Sequence, residues 1–494
     1  MNTDLTEAQK DYSLFLPAIS SFFSTYIGRQ QAVEYVPKSR MPKGIPEMEM
    51  LNFFNKEEGL FTYDFGLYSA GHAKLDLTKE IPAENMIRKR GKHTTLVADS
   101  GGFQIGKGIW EADWIDPKCP KAEKYRSTVL KWLSNISDYS MTLDIPVWVA
   151  DVPANAKKVN VKSYKDAVKA TKYNHDYFIK YSTGDVKFLN VLQGGNYSEA
   201  DDWYEIMKDY NDHTKYIRPF KGWAMGGANA ADPYLALKRI ITIIHDGLLE
   251  EGENDWMHFL GTSKLVWATM LTDIQRAVRR THNKNFTVSF DAASPYLAVA
   301  NGQIYNTVKT PDYKEVTKGN KRGTWSYNME STADDRKFKN KNYHLDHRNF
   351  RDGVLADKIH DEFIDSPISE NLLISDINAF GPTDPNKNGK IGKTAWDSFS
   401  YCLLMGHNTW AHINAVQEAN RQYDNGKIPK LLIDKDTGVT FRNIVNAIFN
   451  AKGYDKRMAI LDKHSEFFNA ISNLRGFGGK KAISAKGKFD DLFE

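Results

Sequence analysis

From residue 61 to about 295, short runs rich in β-branched and aromatic residues alternate with longer segments whose apolar positions recur every three and four residues. The short runs are FTYDFGLYSAG, TTLVADSGG, YSMTLDIP, VKFLNVLQGG, GWAMGG, WMHFLGTS and FTVSFDAASP. Helical period marks KAEKYRSTVLKWLSNIS, SYKDAVKATKYNHDYFIKY, DDWYEIMKDYN, DPYLALKRIITIIHDGLL and KLVWATMLTDIQRAVRRTH. Strand, loop and helix in repetition predict a mostly parallel sheet of the α/β class. The runs close on chemically capable residues or glycine turns: Asp99, Asp144, Gln193, Gly226 with Gly227, Gly261 and Asp291. A (β/α)8 TIM barrel gathers all such ends on one face. An open doubly wound sheet would gather them along a crevice, but no dinucleotide-type glycine fingerprint follows the first run, which favours the barrel.

This pattern divides the chain into four parts. Residues 1–60 are expected to be an N-terminal extension packing on the barrel, and 61–300 its main part. Residues 301–395, charged and poor in apolar period, read as an insertion with remaining barrel elements. Residues 396–494 read as a C-terminal helical subdomain with a basic tail carrying Lys480, Lys481, Lys486 and Lys488, a solvated tail by ordinary expectation.

Composition narrows the class. With 41% hydrophobic and 26% charged residues the chain is an ordinary globular one, which excludes a mainly disordered protein. Lys plus Arg number 66 against 62 Asp plus Glu, so overall charge does not by itself announce a polyanion partner. Two cysteines, Cys119 and Cys402, are too few for a disulfide framework or a four-thiolate metal site, and they fit a reducing, cytoplasmic compartment. The apolar stretch SLFLPAISSFFSTYI follows Asp4, Glu7 and Asp11 and contains Pro17, unlike a secretory segment. No run is long enough to cross a bilayer, so no membrane association is expected.

Three strand-end aspartates with Gln193 give an acid-rich pocket. One carboxylate can attack the anomeric carbon of a sugar, a second can move a proton, and a third with an amide can read the donors and acceptors of a heterocycle. A single aspartate at a strand end is ordinarily a helix cap or a satisfied turn. The set together points to glycosyl transfer without metal or cofactor.

The hexapeptide DSGGFQ, residues 99–104, resembles the signature of the tRNA-guanine transglycosylase superfamily, and LDIP, LQGG, GWAMGG, HFLGTS and SFDAASP follow in that family's order. The resemblance implies a TIM barrel and a role for each matching position. Asp291 resembles the nucleophile that expels guanine and forms a glycosyl ester, and Asp99 the acid/base. Asp144 resembles the carboxylate that pairs with the guanine edge, and Gln193 with the backbone of Gly227 the groups that recognise its carbonyl. Phe103 resembles the aromatic that stacks on the base, with Leu260 closing the other face. Gly101, Gly102, Gly194 and Gly226 would let backbone approach a flat ligand. Ser100, Gln104 and Gly261 complete the expected base-binding set.

The sequence departs from the tRNA enzymes in two places. Their CxCxxC zinc motif is missing, although LLMGHNTWAHINAV resembles the following helix with His407 at the ligand position. A rebuilt site from His344, Asp346, His347 and Cys402 is imaginable, but a zinc-free subdomain held by packing is preferred. The segment after the nucleophile, AASPYLAVANGQIYN, has no Arg or Lys where bacterial tRNA enzymes carry anticodon-reading arginines. Both departures match the DNA 7-deazaguanine transglycosylase (DpdA) branch, which includes virus-encoded members acting in a host cytoplasm. That branch exchanges guanine in DNA for a base such as preQ0, protecting the DNA from restriction. The alternatives are a divergent tRNA enzyme, a non-catalytic nucleic-acid-binding paralogue, and an unrelated retaining glycosidase. Oligomeric state is left open.

Overall fold

All seven strands anticipated from the alternation are present in the computed structural model, which describes residues 11–309, 328–333, 342–357, 362–380 and 396–474. They are β2 (Phe65–Ser69), β3 (Thr95–Asp99), β4 (Tyr139–Met141), β5 (Lys187–Leu192), β6 (Gly222–Met225), β7 (Trp256–Phe259) and β8 (Thr287–Ala292). An eighth, β1 (Leu14–Pro17), pairs in parallel with β8, and a parallel bridge from Ala18 to Leu67 joins it to β2. The eight parallel strands thus close into a (β/α)8 barrel in the order β1-β8-β7-β6-β5-β4-β3-β2.

The N-terminal stretch is therefore part of the barrel, which corrects its reading as an extension. Every residue of β1 is buried. A four-residue strand covered on both faces shows a continuous apolar run instead of alternation, so period alone cannot distinguish it from a helical segment.

The outer helices are α1 (Ser21–Gln30), α2 (Pro120–Ile136), α3 (Tyr164–Tyr181), α4 (Tyr197–Met207), α5 (Pro233–His245) and α6 (Leu265–Thr281). Local chemistry starts several of them. Ser163 caps α3 by accepting the Asp166 N–H, Asn196 caps α4 through the Glu199 N–H, and Asp232 caps α5, which has Pro233 at its first position.

After β8 the chain forms a short helix (Ser294–Ala300) and a separate hairpin of β9 (Gln303–Lys309) and β10 (Asn328–Ala333). Residues 301–395 supply no barrel strand among those described. The remaining helix comes instead from α7 (Ser398–Asp424), which packs on α6, α1 and β1 and so fills the ring between β8 and β1. What reads as the start of a helical subdomain is thus the barrel helix that packs between β8 and β1. Beyond it, α8 (Phe441–Asn450) packs on α6, while α9 (Tyr454–Lys463) and α10 (Ser465–Leu474) pack on α5. The basic tail lies outside the described residues.

Inside the barrel, Leu14, Leu16, Leu67, Val97, Met141, Leu189, Val191, Ala224 and Trp256 fill the lumen, with Tyr139 against Trp256 at a ring separation of 4.2 Å near the strand starts. The apolar plug closes that end and leaves polar groups to the opposite, C-terminal face.

Candidate active site

Successive strand ends deliver the site. Ser69 on β2 lies opposite Asp99 on β3, and its hydroxyl donates to Asp99 Oδ2 at 2.6 Å while accepting the Gly71 N–H. Burial pushes the Asp99 carboxyl above its ordinary range, and the negative charge of Asp291 adds to the rise. The Ser69 and Gly101 hydrogen bonds and the nearby His72 oppose it. Asp144, three residues beyond β4, is buried and pushed up to about 7, chiefly by burial, with the charge of Asp99 adding and a hydrogen bond from Gln193 opposing. That bond runs from Gln193 Nε2 to Asp144 Oδ2 at 2.8 Å. Three carboxyls from three different strand ends therefore share one mouth closely enough to perturb one another.

Asp291, near the end of β8, is held through a single oxygen. Oδ1 accepts the Gly261 N–H at 2.7 Å and lies 3.2 Å from His258 Nε2. His258 Nδ1 is 2.9 Å from Ser289 Oγ, which also accepts the Trp256 indole N–H at 2.7 Å. Gly261 has φ +64° with open space around its Cα, a backbone that lets its N–H turn toward the carboxylate.

The glycines let the strand-end turns pack closely on one another. A Cβ on Gly102 would sit 2.6 Å from the Asp144 carbonyl oxygen and 3.0 Å from Asp144 Oδ1, and one on Gly226 would sit 2.9 Å from Gln193 Nε2. Gly101 backs onto Trp110 and Gly194 onto Ala200 in the same way. Their missing side chains make room for protein, and for the Asp144–Gln193 pair in particular. Ser100 is likewise a structural tie, fully buried with its hydroxyl donating to the Thr142 carbonyl. Gln104 is buried against Gly71, its Oε1 without a hydrogen-bond partner among the described residues. Gly227 has φ +52° and receives Gly194 O closely, so the turns after β5 and β6 interlock.

Phe103 is half-buried and meets Trp148 at 5.8 Å with the rings inclined by 57°, and Lys107 Nζ lies 5.2 Å over the Phe103 ring. Leu260 is half-buried and packs on the lumen cluster.

No protein-family model and no curated protein matches the chain.

His407 has both ring nitrogens engaged, Nδ1 with Ser366 Oγ and Nε2 with the Tyr305 carbonyl, each at 2.8 Å, and burial lowers its pKa to about 4. Asp346 pairs with Arg348, and Cys402 is buried with its thiol pushed upward by burial. Among the described residues no group of three His, Cys, Asp or Glu side chains is placed to hold a metal, and no helix is long and apolar enough to cross a membrane.

The sequence reading missed Ser69, Trp148 and the chain Trp256, Ser289 and His258. A signal existed for two of them. Ser69 ends the run GLYS as Asp99 ends LVAD, and His258 is an ionisable residue in WMHF, a strand buried at all four positions.

Proposed function

We propose that the chain is a transglycosylase that exchanges guanine in DNA for a 7-deazaguanine base such as preQ0. The single observation that carries this reading is the delivery of Asp99, Asp144 and Asp291 by three strand ends to the C-terminal face of one parallel barrel, with Asp144 tied to Gln193. The signature DSGGFQ and the ordered motifs after it supply the reaction class.

Asp291 attacks C1′ of the deoxyribose. The C1′–O bond forms as the C1′–N9 bond breaks, the electron pair leaves with guanine, and Asp99, whose carboxyl burial shifts upward, supplies the ring proton. The incoming base returns a proton to Asp99, attacks C1′ and releases the Asp291 carboxylate. Two displacements at one carbon retain configuration and require no ATP. The exchanged base must first leave the duplex stack. Ionised Asp144 accepts from the N–H edge of the base, and Phe103 offers a stacking face, contributing about 1–3 kcal/mol.

DNA is favoured over tRNA by the segment that follows the nucleophile. It carries no Arg or Lys and folds as the short helix Ser294–Ala300, with Pro295, Tyr296, Ala298 and Val299 buried and the Pro295 carbonyl bonded to Asn408. Exchange of labelled guanine measured on duplex DNA and on tRNA tests the reading. Label turnover in DNA is the expected result, and turnover in tRNA alone overturns the choice of polymer.

A further inference from the structure

The inner faces of two adjacent strands carry a four-residue ladder. Trp256 and His258 alternate on β7, Ser289 and Asp291 on β8, and His258 pairs in register with Ser289. His258 and Ser289 are fully buried, so no bulk water competes for their hydrogen bonds.

Donor and acceptor capacities orient the whole chain. An indole N–H only donates, so Ser289 Oγ accepts from Trp256 at 2.7 Å. The one hydroxyl proton of Ser289 is then free to go to His258 Nδ1, 2.9 Å away. An ionised carboxylate only accepts, so the contact of 3.2 Å between His258 Nε2 and Asp291 Oδ1 requires the proton on Nε2. The opposite tautomer would set a ring lone pair against a carboxylate oxygen. Asp291 Oδ1 thus receives two donors, His258 Nε2–H and the Gly261 N–H, while among the described residues none reaches Oδ2.

We infer that His258 is a positioning residue for Asp291: the Trp256–Ser289 relay holds it as the Nε2–H tautomer, it anchors Oδ1, and Oδ2 is the oxygen that forms the bond to C1′. The inference rests on Asp291 being the nucleophile. Its contribution is orientation. A carboxylate tethered through one oxygen presents the other along a fixed line, and loss of such alignment lowers rates by roughly 100-fold.

The tautomer is read directly by nitrogen NMR of full-length protein labelled in its histidine rings. The His258 Nε2 resonance should be protonated and Nδ1 unprotonated, with the signature disturbed in Ser289→Ala. A protonated Nδ1 with bare Nε2 overturns the inference. Kinetics give a second reading. His258→Gln, whose amide N–H reaches the Nε2 position, should keep kcat within about tenfold, whereas His258→Asn should lose roughly 100-fold in kcat at unchanged KM for the base. Wild-type kcat in His258→Asn and His258→Ala, with Asp291→Asn inactive, overturns the relay and leaves the nucleophile standing. Full activity in Asp291→Asn removes the nucleophile instead, and the relay with it.

Discussion

Asp144 is a residue whose chemistry responds to pH in the neutral range. Its folded pKa, about 7, lies above the ordinary carboxylate value of 3.8, so the folded protein holds a proton there that the unfolded chain releases between about pH 4 and 7. The stability this lends is fully present below pH 4 and is lost as pH rises through about 7, a bias on the order of 4 kcal/mol before relaxation. Asp144→Asn should therefore raise the melting temperature above pH 7 and leave it nearly unchanged near pH 4, as thermal melts across pH will show. On the proposed reading the ionised form accepts the N–H edge of the base, so KM for the base should fall as pH rises from 6 to 8 in the unaltered protein. Asp144→Asn should lose that dependence. Asp99, Asp144, Asp291 and Gln193 were legible in the sequence because each closes a strand run. The link between Ser289 and His258 was not, because it depends on register between neighbouring strands, which no single run displays.

The turns around Asp144 and Gln193 leave little room for an added side chain. Gly102→Ala would drive a methyl to 2.6 Å from the Asp144 backbone, and Gly226→Ala would press on Gln193 Nε2 at 2.9 Å. The first should destabilise the protein by about 1–3 kcal/mol, since a backbone oxygen cannot swing aside, and should weaken base binding. The second meets a side-chain end that can shift, so it should spare stability while raising KM for the base. Denaturant melts paired with exchange kinetics separate the two. Long amphipathic helices such as α3 and α6 were readable from period because one face is buried and the other is wet. β1 was not, since LFLP is apolar throughout and too short to show a period.

Barrel closure depends on segments at the two ends of the chain. β1 from the N-terminal stretch seals β8 to β2, and α7, more than a hundred residues after β8, covers them from outside, with His412 stacked on Phe15 at 4.3 Å. A chain ending at residue 395 should therefore lose the cooperative unfolding transition of the whole barrel. A melt unchanged by that truncation would show α7 to be dispensable. A composition-level reading places neither segment in the barrel, because closure is a long-range contact written at both ends of the sequence. The claim beneath the rest is that Asp291 bonds covalently to the sugar from which guanine departs. It is tested most directly by denaturing the protein during turnover on duplex DNA and mapping the adduct by peptide mass. The account predicts a deoxyribosyl-linked DNA adduct on the peptide containing Asp291, absent in Asp291→Asn. Base exchange that proceeds with no adduct there, or with one on another residue, would contradict it.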